Sequence, residues 1–393
     1  MTEGFYLNAL GLINALGAGK AAVSDQLFLG DTAGMQMQDG FLLNQKVMTG
    51  TVRQPLPTIA AEQAFYDSRN NRMLLAAMQE IEADIRTAIE KYGPDRVAVI
   101  LGTSTSGISD NEQGIAEKVQ TGAFPEGFDY QRQDNASLAL FARSYFGLSG
   151  LAMTISTACT SSAKTLASAR RMMAAGLCDA AIVGGADTLC RLTMNGFASL
   201  DLISSTRCNP FSLNRNGINI GEGAAVFLMS REPAPVRLAG VGETSDAYHM
   251  STPDPEGTGA YNAMRCALDE SGLAPTDIAY LNLHGTATEL NDSVEAKAVY
   301  ELLGDVPCSS TKPLTGHTLG AAGSTELGFL WLALQSDGGL LPPHIWDGEV
   351  DPALPPMNLV EKGTQMSNAR AMMTNSFAFG GNNISVILSK ETN

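Results

Sequence analysis

Histidine is scarce in this chain, and basic charge is in deficit. Only four histidines occur in 393 residues, and 25 lysines and arginines against 41 aspartates and glutamates leave a net charge of −16. That balance argues against nucleic acid and anionic membrane as partners, and an acidic protein partner would need a local basic patch. No uninterrupted apolar run reaches the ~18 residues of a membrane span. Residues 1–4 lack the basic stretch that opens a signal peptide. The six cysteines (Cys159, Cys178, Cys190, Cys208, Cys266 and Cys308) are scattered singly. None forms C-x-x-C, so neither a zinc cage nor a disulfide framework is indicated, and a reducing cytoplasm is the simplest compartment.

What is present suits a large folded unit. Hydrophobic residues make up 44% of the chain, ample for a sizeable core. The length suggests two or three domains, or one large duplicated unit. The 40 glycines cluster in short motifs, as tight turns around a site require.

The most informative stretch is T-A-C-T-S-S at 157–162. A buried strand, 151–155, leads into it, and a helix, 163–176, follows and ends at glycine. Cys159 therefore sits at a strand-to-helix turn, where free backbone N–H groups and the positive end of the helix dipole favour a thiolate. The alternative is a cysteine packed as a small hydrophobe.

Strand–helix alternation continues on both sides. Strands are expected at 5–11, 96–101 and 180–187, and a helix at 72–92 with Ile81, Ile85 and Ile89 on one face. Region 20–65 reads as loops with short elements. E-P-A-P at 232–235 is the best boundary. Beyond it, strands are expected at 236–242, 278–283, 372–377 and 384–388. Helices are expected over 259–271, through 295–300 and from 320. Continuous apolar strands alternating with helices indicate an α/β layered fold, and the similar order of elements in both halves hints at duplication.

Two histidines follow predicted strands in glycine-rich settings, His284 in N-L-H-G-T-A-T and His317 in K-P-L-T-G-H-T-L-G-A-A-G. Each is positioned to face a pocket; the alternative for either alone is a hydrogen-bonded core residue. His249 and His344 lie in loop-like stretches and read as solvated or structural. Asp292 and Glu295 follow His284, while Lys312 and Glu326 flank His317. N-S-F-A-F-G-G-N-N at 375–383 ends a strand in an aromatic-glycine loop that either gates a pocket or makes a tight turn.

These motifs, with N-P-F-S and G-E-G-A at 221–224, stand in an order that resembles the elongating β-ketoacyl-acyl carrier protein synthases from about residue 96 to 388. The resemblance implies the thiolase-like duplicated α-β-α-β-α layered fold, with an N-terminal half (1–234) carrying the nucleophile and a C-terminal half (235–393) carrying both histidines. It implies decarboxylative condensation of malonyl-carrier protein with an acyl group held on Cys159, substrates arriving on a phosphopantetheine arm, and no metal or other cofactor. His284 and His317 would stabilise the enolate, and the backbone N–H groups of Cys159 and Phe379 would form an oxyanion hole, Phe379 also being the gate. Lys312 with Glu326 would be an orienting ion pair near His317, and Asp292 and Glu295 would support the His284 loop. Thr105 matches a tunnel-lining position. Arg69, Arg72 and Arg207 are candidates for docking an acidic carrier, or ordinary surface arginines.

A Cys/His/His set separates this group from initiating synthases (Cys/His/Asn) and thiolases (Cys/His/Cys). Ala378, Asn382, Asn209 and Ser212 depart from the housekeeping pattern. Ala378, in place of the usual glycine, should restrict the loop. Within the family the motifs are most similar to the ketosynthases of bacterial aryl polyene clusters. That implies elongation from an aromatic starter and a heterodimer with a chain-length-factor-like homologue, a homodimer being the other arrangement. The competing readings are a housekeeping fatty-acid elongase, a noncatalytic chain-length-factor subunit, and a cysteine hydrolase or thiolase.

Overall fold

The computed structural model describes residues 4–336 and 338–391; Met1, Thr2 and Glu3, in the stretch used above to exclude a signal peptide, lie outside the described residues. The chain enters through β1 (Tyr6–Asn14) and the short β2 (Gly17–Ala18), followed by α1 (Lys20–Leu29) and a hairpin of β3 (Met35–Leu42) and β4 (Gln45–Gly50). Next come α2 (Arg69–Glu80), α3 (Glu82–Tyr92), β5 (Val97–Gly102), α4 (Ile108–Thr121) and α5 (Ala136–Phe146). β6 (Ala152–Ile155), α6 (Ser161–Ala174), β7 (Ala180–Asp187), α7 (Arg191–Ala198) and β8 (Gly223–Ser230) complete this stretch. The remainder runs β9 (Val236–Ser245), α8 (Thr258–Ser271), β10 (Ile278–Asn282), α9 (Glu289–Leu303), β11 (Pro307–Ser309) and α10 (Lys312–Thr315). It closes with α11 (Ala322–Gln335), β12 (Asn358–Leu359), β13 (Ala371–Ala378) and β14 (Asn382–Lys390).

The strands form two leaves with one plan. The first has the order β6-β5-β7-β8-β1, the second β11-β10-β13-β14-β9, with β12 outside β11. In the first leaf β5 is parallel to β6 and β7, and β8 is antiparallel to β7 and β1. In the second β10 is parallel to β11 and β13, and β14 is antiparallel to β13 and β9. The leaves join where Tyr6 of β1 pairs with Arg237 of β9. The central strands β5, β7 and β8 are buried at every residue, because helices cover both faces.

Helices α6 and α11 lie together between the leaves, so one core cluster holds Leu166 of α6, Phe329 and Leu330 of α11, Ile100 and Val183 of the first leaf and Ile384 and Val386 of the second. Each such side chain contributes about 1.5–3 kcal/mol on burial. Gly323 permits the close helix approach, since a Cβ there would stand 2.7 Å from that of Ala163. Outside the first leaf lie α2, α3 and α5 through Leu74, Ile85 and Phe141; outside the second lie α8 and α9 through Met264 and Val299. The result is α-β-α-β-α layering.

Two expectations change. The helix expected over 72–92 starts earlier, at Arg69, and is broken into α2 and α3 by Ile81, whose φ of −118° leaves the helical region. No glycine or proline marks that break; buried Ile81 and Ile85 both stay on the core. Region 20–65 is more ordered than expected. α1 was hard to read because it buries only Val23 and Leu27.

Candidate functional site

Cys159, His284 and Phe379 follow strand ends, whereas His317, expected after a strand, follows the short helix α10; α6 and α11 bring the two halves' loops together. At the nucleophile turn Ala158 has φ 53°, a left-handed conformation that costs an alanine roughly 1–2 kcal/mol. Three bonds hold it: Thr157 N–H to Ser161 Oγ at 2.8 Å, Ser161 Oγ to the Ala158 carbonyl at 2.6 Å, and Thr160 Oγ1 to the Thr157 carbonyl at 2.7 Å. The sequence shows the hydroxyls but not the strained alanine they clamp.

The expected resting thiolate is corrected. Cys159 is buried, and that burial pushes its thiol up to about 12; Lys312 pulls the other way, while Glu326 and Asp187 add to the rise. Desolvation of the charged form is the largest cause. The thiol lies instead against an imidazole, with Sγ 3.0 Å from His317 Nε2.

His284 follows β10. Its N–H and that of Gly285 both donate to Glu295, at 2.8 Å each, and Asn375 Nδ2 donates to the same carboxylate at 3.2 Å. Asp292 accepts from the N–H groups of Ala287 at 3.2 Å and Phe211 at 2.8 Å, two residues with left-handed φ of 61° and 62°. Burial pushes Asp292 up to about 6 and Glu295 to about 7, against the N–H donors that favour their charged forms. Both acids thus hold the backbone of the His284 loop, and neither reaches the sulfur.

Lys312 pairs with Glu326, its Nζ donating to Oε1 at 2.6 Å and also to the carbonyl of His284, with both side chains buried. His317 is set by backbone alone: its N–H donates to the Asn219 carbonyl at 2.7 Å, and its carbonyl accepts from Gly221 N–H at 2.9 Å. This explains the first glycine of G-E-G-A, because a Cβ at Gly221 would stand 2.0 Å from the Thr315 carbonyl oxygen. The two catalytic-type rings meet edge to face, centroids 5.3 Å apart. Burial first, and the Lys312 ammonium second, hold both well below the usual histidine range. Both are therefore neutral, and neither Nδ1 has a hydrogen-bond partner.

The three groups line a cavity of about 270 Å³, with Phe197, Phe377 and Phe379 among its walls and Asp246 and Glu289 also on its lining. The Phe379 ring lies 5.6 Å from Phe197, which no motif had singled out. Gly380 and Gly381 supply the left-handed turn, φ 83° and 72°, while Ala378 pairs with Asn382 in the strand ladder. The alanine therefore occupies an extended position, and the expected restriction of the loop falls on the two glycines instead. Lys164 Nζ donates to Asn382 Oδ1 at 3.1 Å.

Thr105 is buried but is not on the cavity wall. Its hydroxyl donates to Asp187 Oδ1 at 2.7 Å and accepts from Thr188 N–H at 2.9 Å. Asp187, also missed, takes further bonds from Thr103, Ser104 N–H and Ala321 N–H. Arg69 makes a two-pronged ion pair with Glu222, at 2.9 and 2.5 Å, and Arg72 one with Asp67, at 2.6 Å each. Paired in this way, neither is a free docking charge. Arg207 has a 3.5 Å contact with Thr32 and no ion pair among the described residues. His249 is exposed. His344 is buried, its Nδ1 accepting from Ser310 N–H at 3.1 Å and its Nε2 donating to the Pro210 carbonyl at 3.0 Å.

Comparison with known proteins gives concordant findings. The family model "Beta-ketoacyl synthase, N-terminal domain" matches residues 48–234, and "Beta-ketoacyl synthase, C-terminal domain" matches 236–345. A curated relative, 3-oxoacyl-[acyl-carrier-protein] synthase 2 of Staphylococcus aureus (strain COL), is 30% identical over 347 residues, 82% of each chain. The enzyme of the same name from Rhizobium meliloti (strain 1021) is 34% identical over 258 residues, 60% of each. Among solved structures, a ketosynthase (ApeO) in complex with its chain length factor (ApeC) from Xenorhabdus doucetiae is 44% identical. It covers 99% of this chain and 98% of its own, with a TM-score of 0.95. The ishigamide ketosynthase/chain length factor, 24% identical over 99% of this chain and all of its own, shares the fold at a TM-score of 0.88.

Proposed function

The chain belongs to the β-ketoacyl synthase family, condensing acyltransferases of thiolase-like fold, and from that premise we propose the course of its reaction. Cys159 attacks the thioester of an acyl-carrier protein. Because the sulfur rests as a thiol, its proton passes to His317 Nε2, 3.0 Å away, and leaves with the departing phosphopantetheine thiol. Malonyl-carrier protein then enters. As its carboxylate departs as CO2, the freed electron pair forms an enolate whose oxygen accepts hydrogen bonds from His284 and His317. Both rings are neutral and untied at Nδ1, so each can carry its proton on the nitrogen facing the substrate. The carbanion attacks the acyl carbonyl on Cys159, the new C–C bond forms, the C–S bond breaks, and the released thiolate takes a proton from solvent. Backbone N–H groups of Cys159 and Phe379 receive the oxyanion of that step. Each such donor is worth about 100–1000-fold in rate.

The observation that carries this reading is the buried Cys159–His317 contact with His284 beside it in the same cavity. A noncatalytic subunit has no need of that set. Acyl groups come on the carrier's phosphopantetheine arm, and no step calls on another cofactor. The finer reading is elongation of an aryl polyene. It rests on the motif variants and on the 44% identical ketosynthase, itself solved with a chain length factor; a housekeeping elongase is favoured by the 30% and 34% identical relatives.

The same resemblance supports a heterodimer with a chain-length-factor homologue. β6 is the last strand of its leaf and its outer edge is unpaired among the described residues, with all four residues half-buried; an edge of that kind pairs readily with another chain. Residues 1–234 and 235–393 are read as two copies of one unit, supported by the shared strand order. No helix of the described residues is long and apolar enough to cross a membrane, and a cytoplasmic location belongs to the same proposal. Of the docking candidates Arg207 remains. The test is incubation with malonyl-carrier protein and a panel of acyl-carrier proteins, read by intact mass. An acyl adduct on wild type, absent from Cys159→Ala, and a product longer by two carbons are expected. An adduct that persists in Cys159→Ala overturns the assignment.

A further inference from the structure

The base of the cavity also has the composition of a metal centre. The ligand atoms of Cys159, His284 and His317 lie within 4.8 Å of one another, and all three residues are buried. The closest approach is the 3.0 Å between Sγ and His317 Nε2. Tetrahedral zinc, with Zn–S of about 2.3 Å and Zn–N of about 2.0–2.1 Å, sets its ligands about 3.3–3.6 Å apart. The 3.0 Å spacing is a few tenths of an ångström shorter than that range, and the 4.8 Å limit on the others keeps the three atoms within reach of it.

The ligand chemistry agrees. Zinc requires neutral imidazole and thiolate. Each Nδ1 is unpartnered, so no hydrogen bond blocks the tautomer that offers a lone pair to the ion. A set of three protein ligands with a fourth position open to a cavity is the pattern of catalytic rather than structural zinc sites. Hard cations such as Mg²⁺ and Ca²⁺ need oxygen ligands and find none in this triad.

We propose that Cys159, His284 and His317 bind one Zn²⁺ in the substrate-free protein, leaving its fourth position to the cavity and holding the sulfur unreactive. On binding, the S–H bond breaks, the S–Zn bond forms, and one proton goes to solvent. Occupancy and acylation then exclude each other, which makes the ion a reversible inhibitor of whatever chemistry Cys159 performs. Binding needs only the three ligands, so it stands or falls separately from the condensation reaction.

The experiment uses the full chain with Co²⁺ alone as the spectroscopic probe, followed by Zn²⁺. Expected are one Co²⁺ per chain, a thiolate-to-cobalt charge-transfer band in the near ultraviolet, and its loss on adding Zn²⁺. Cys159→Ser should abolish the band, and His284→Ala and His317→Ala should each weaken binding at least tenfold. Zn²⁺ should also slow iodoacetamide alkylation of Cys159, with recovery on chelation. Circular dichroism confirms that each variant is folded. No charge-transfer band at tens of micromolar Co²⁺ overturns the proposal. So does a band that survives in Cys159→Ser, since five other cysteines are present.

Discussion

Replacing Lys312 by methionine should destabilise the protein in a pH-dependent way, and removing Glu326 as well should restore it. The Lys312 and Glu326 side chains are 2% and 4% exposed, and Nζ and Oε1 are 2.6 Å apart. Glu326 Oε2 has no other partner. Burial already pushes the Glu326 carboxyl up, and Lys312 is what pulls it back. In Lys312→Met the carboxylate is left buried and unpaired, a situation that costs about 3–5 kcal/mol. It escapes by taking up a proton, which at pH 7 costs a carboxyl of ordinary pKa about 3.4 kcal/mol, so the two figures agree. At ~2.1 cal/mol/K of unfolding entropy per residue, this chain should lose about 4 °C in Tm. The sign with pH follows from linkage: the variant's folded-state carboxyl has a raised pKa, so the folded state binds a proton that the unfolded state lacks. The gap to wild type should therefore shrink as pH falls, by about 1.4 kcal/mol per unit, down to the unfolded value near 4.5. The double variant Lys312→Met/Glu326→Leu replaces the pair by apolar groups and should recover most of the loss. The assay is thermal unfolding of wild type, both single variants and the double variant at pH 7.5 and 5.5. A Lys312→Met protein within 1 °C of wild type at pH 7.5, or a gap that does not narrow at pH 5.5, would refute the reasoning.

Three further outcomes are expected. His284→Ala should lose malonyl decarboxylation by about 100–1000-fold yet still acylate Cys159, whereas His317→Ala should lose both, because only His317 reaches the thiol; equal acylation rates in the two variants contradict this division. Arg69→Ala should lower stability by about 1–3 kcal/mol by unpairing buried Glu222 while leaving the KM for carrier protein unchanged; a raised KM at unchanged Tm would return Arg69 to the docking surface. His344, pushed down to about 4 by burial, stays neutral in the fold while the unfolded chain protonates near 6.5. Wild type should therefore lose on the order of 3 kcal/mol between pH 6.5 and 4 through this group. His344→Gln, which can keep both of its hydrogen bonds, should be free of that loss, and parallel pH–stability curves for the two proteins count against it.

Local features were legible where the chemistry is local. The turn at Cys159 could be read because a strand, small residues and a helix stand next to one another in the chain. The strands β5, β7 and β10 were visible as apolar runs. Asp292 and Glu295, which bond the backbone of the His284 loop, stand eight and eleven residues from His284 along the same segment. The break at Ile81 was not legible, since both sides keep good helix formers and only the core decides where the helix turns.

What the sequence by itself determined is the inventory: one nucleophile turn, two histidines in glycine-rich loops, a lysine and an acid, in an order that names the family. Tertiary structure decided which of these groups meet and in what state. Lys312 holds the carbonyl of His284 across 28 residues of chain. Thr105 turns from the cavity to Asp187 across 82. Arg69 is taken by Glu222 across 153. The thiol of Cys159 is raised rather than lowered because desolvation sums over every element packed around it, including both helices of the central layer. A helix dipole can be read from a few adjacent residues; the dielectric surroundings of a buried sulfur exist only once the two leaves have closed on it.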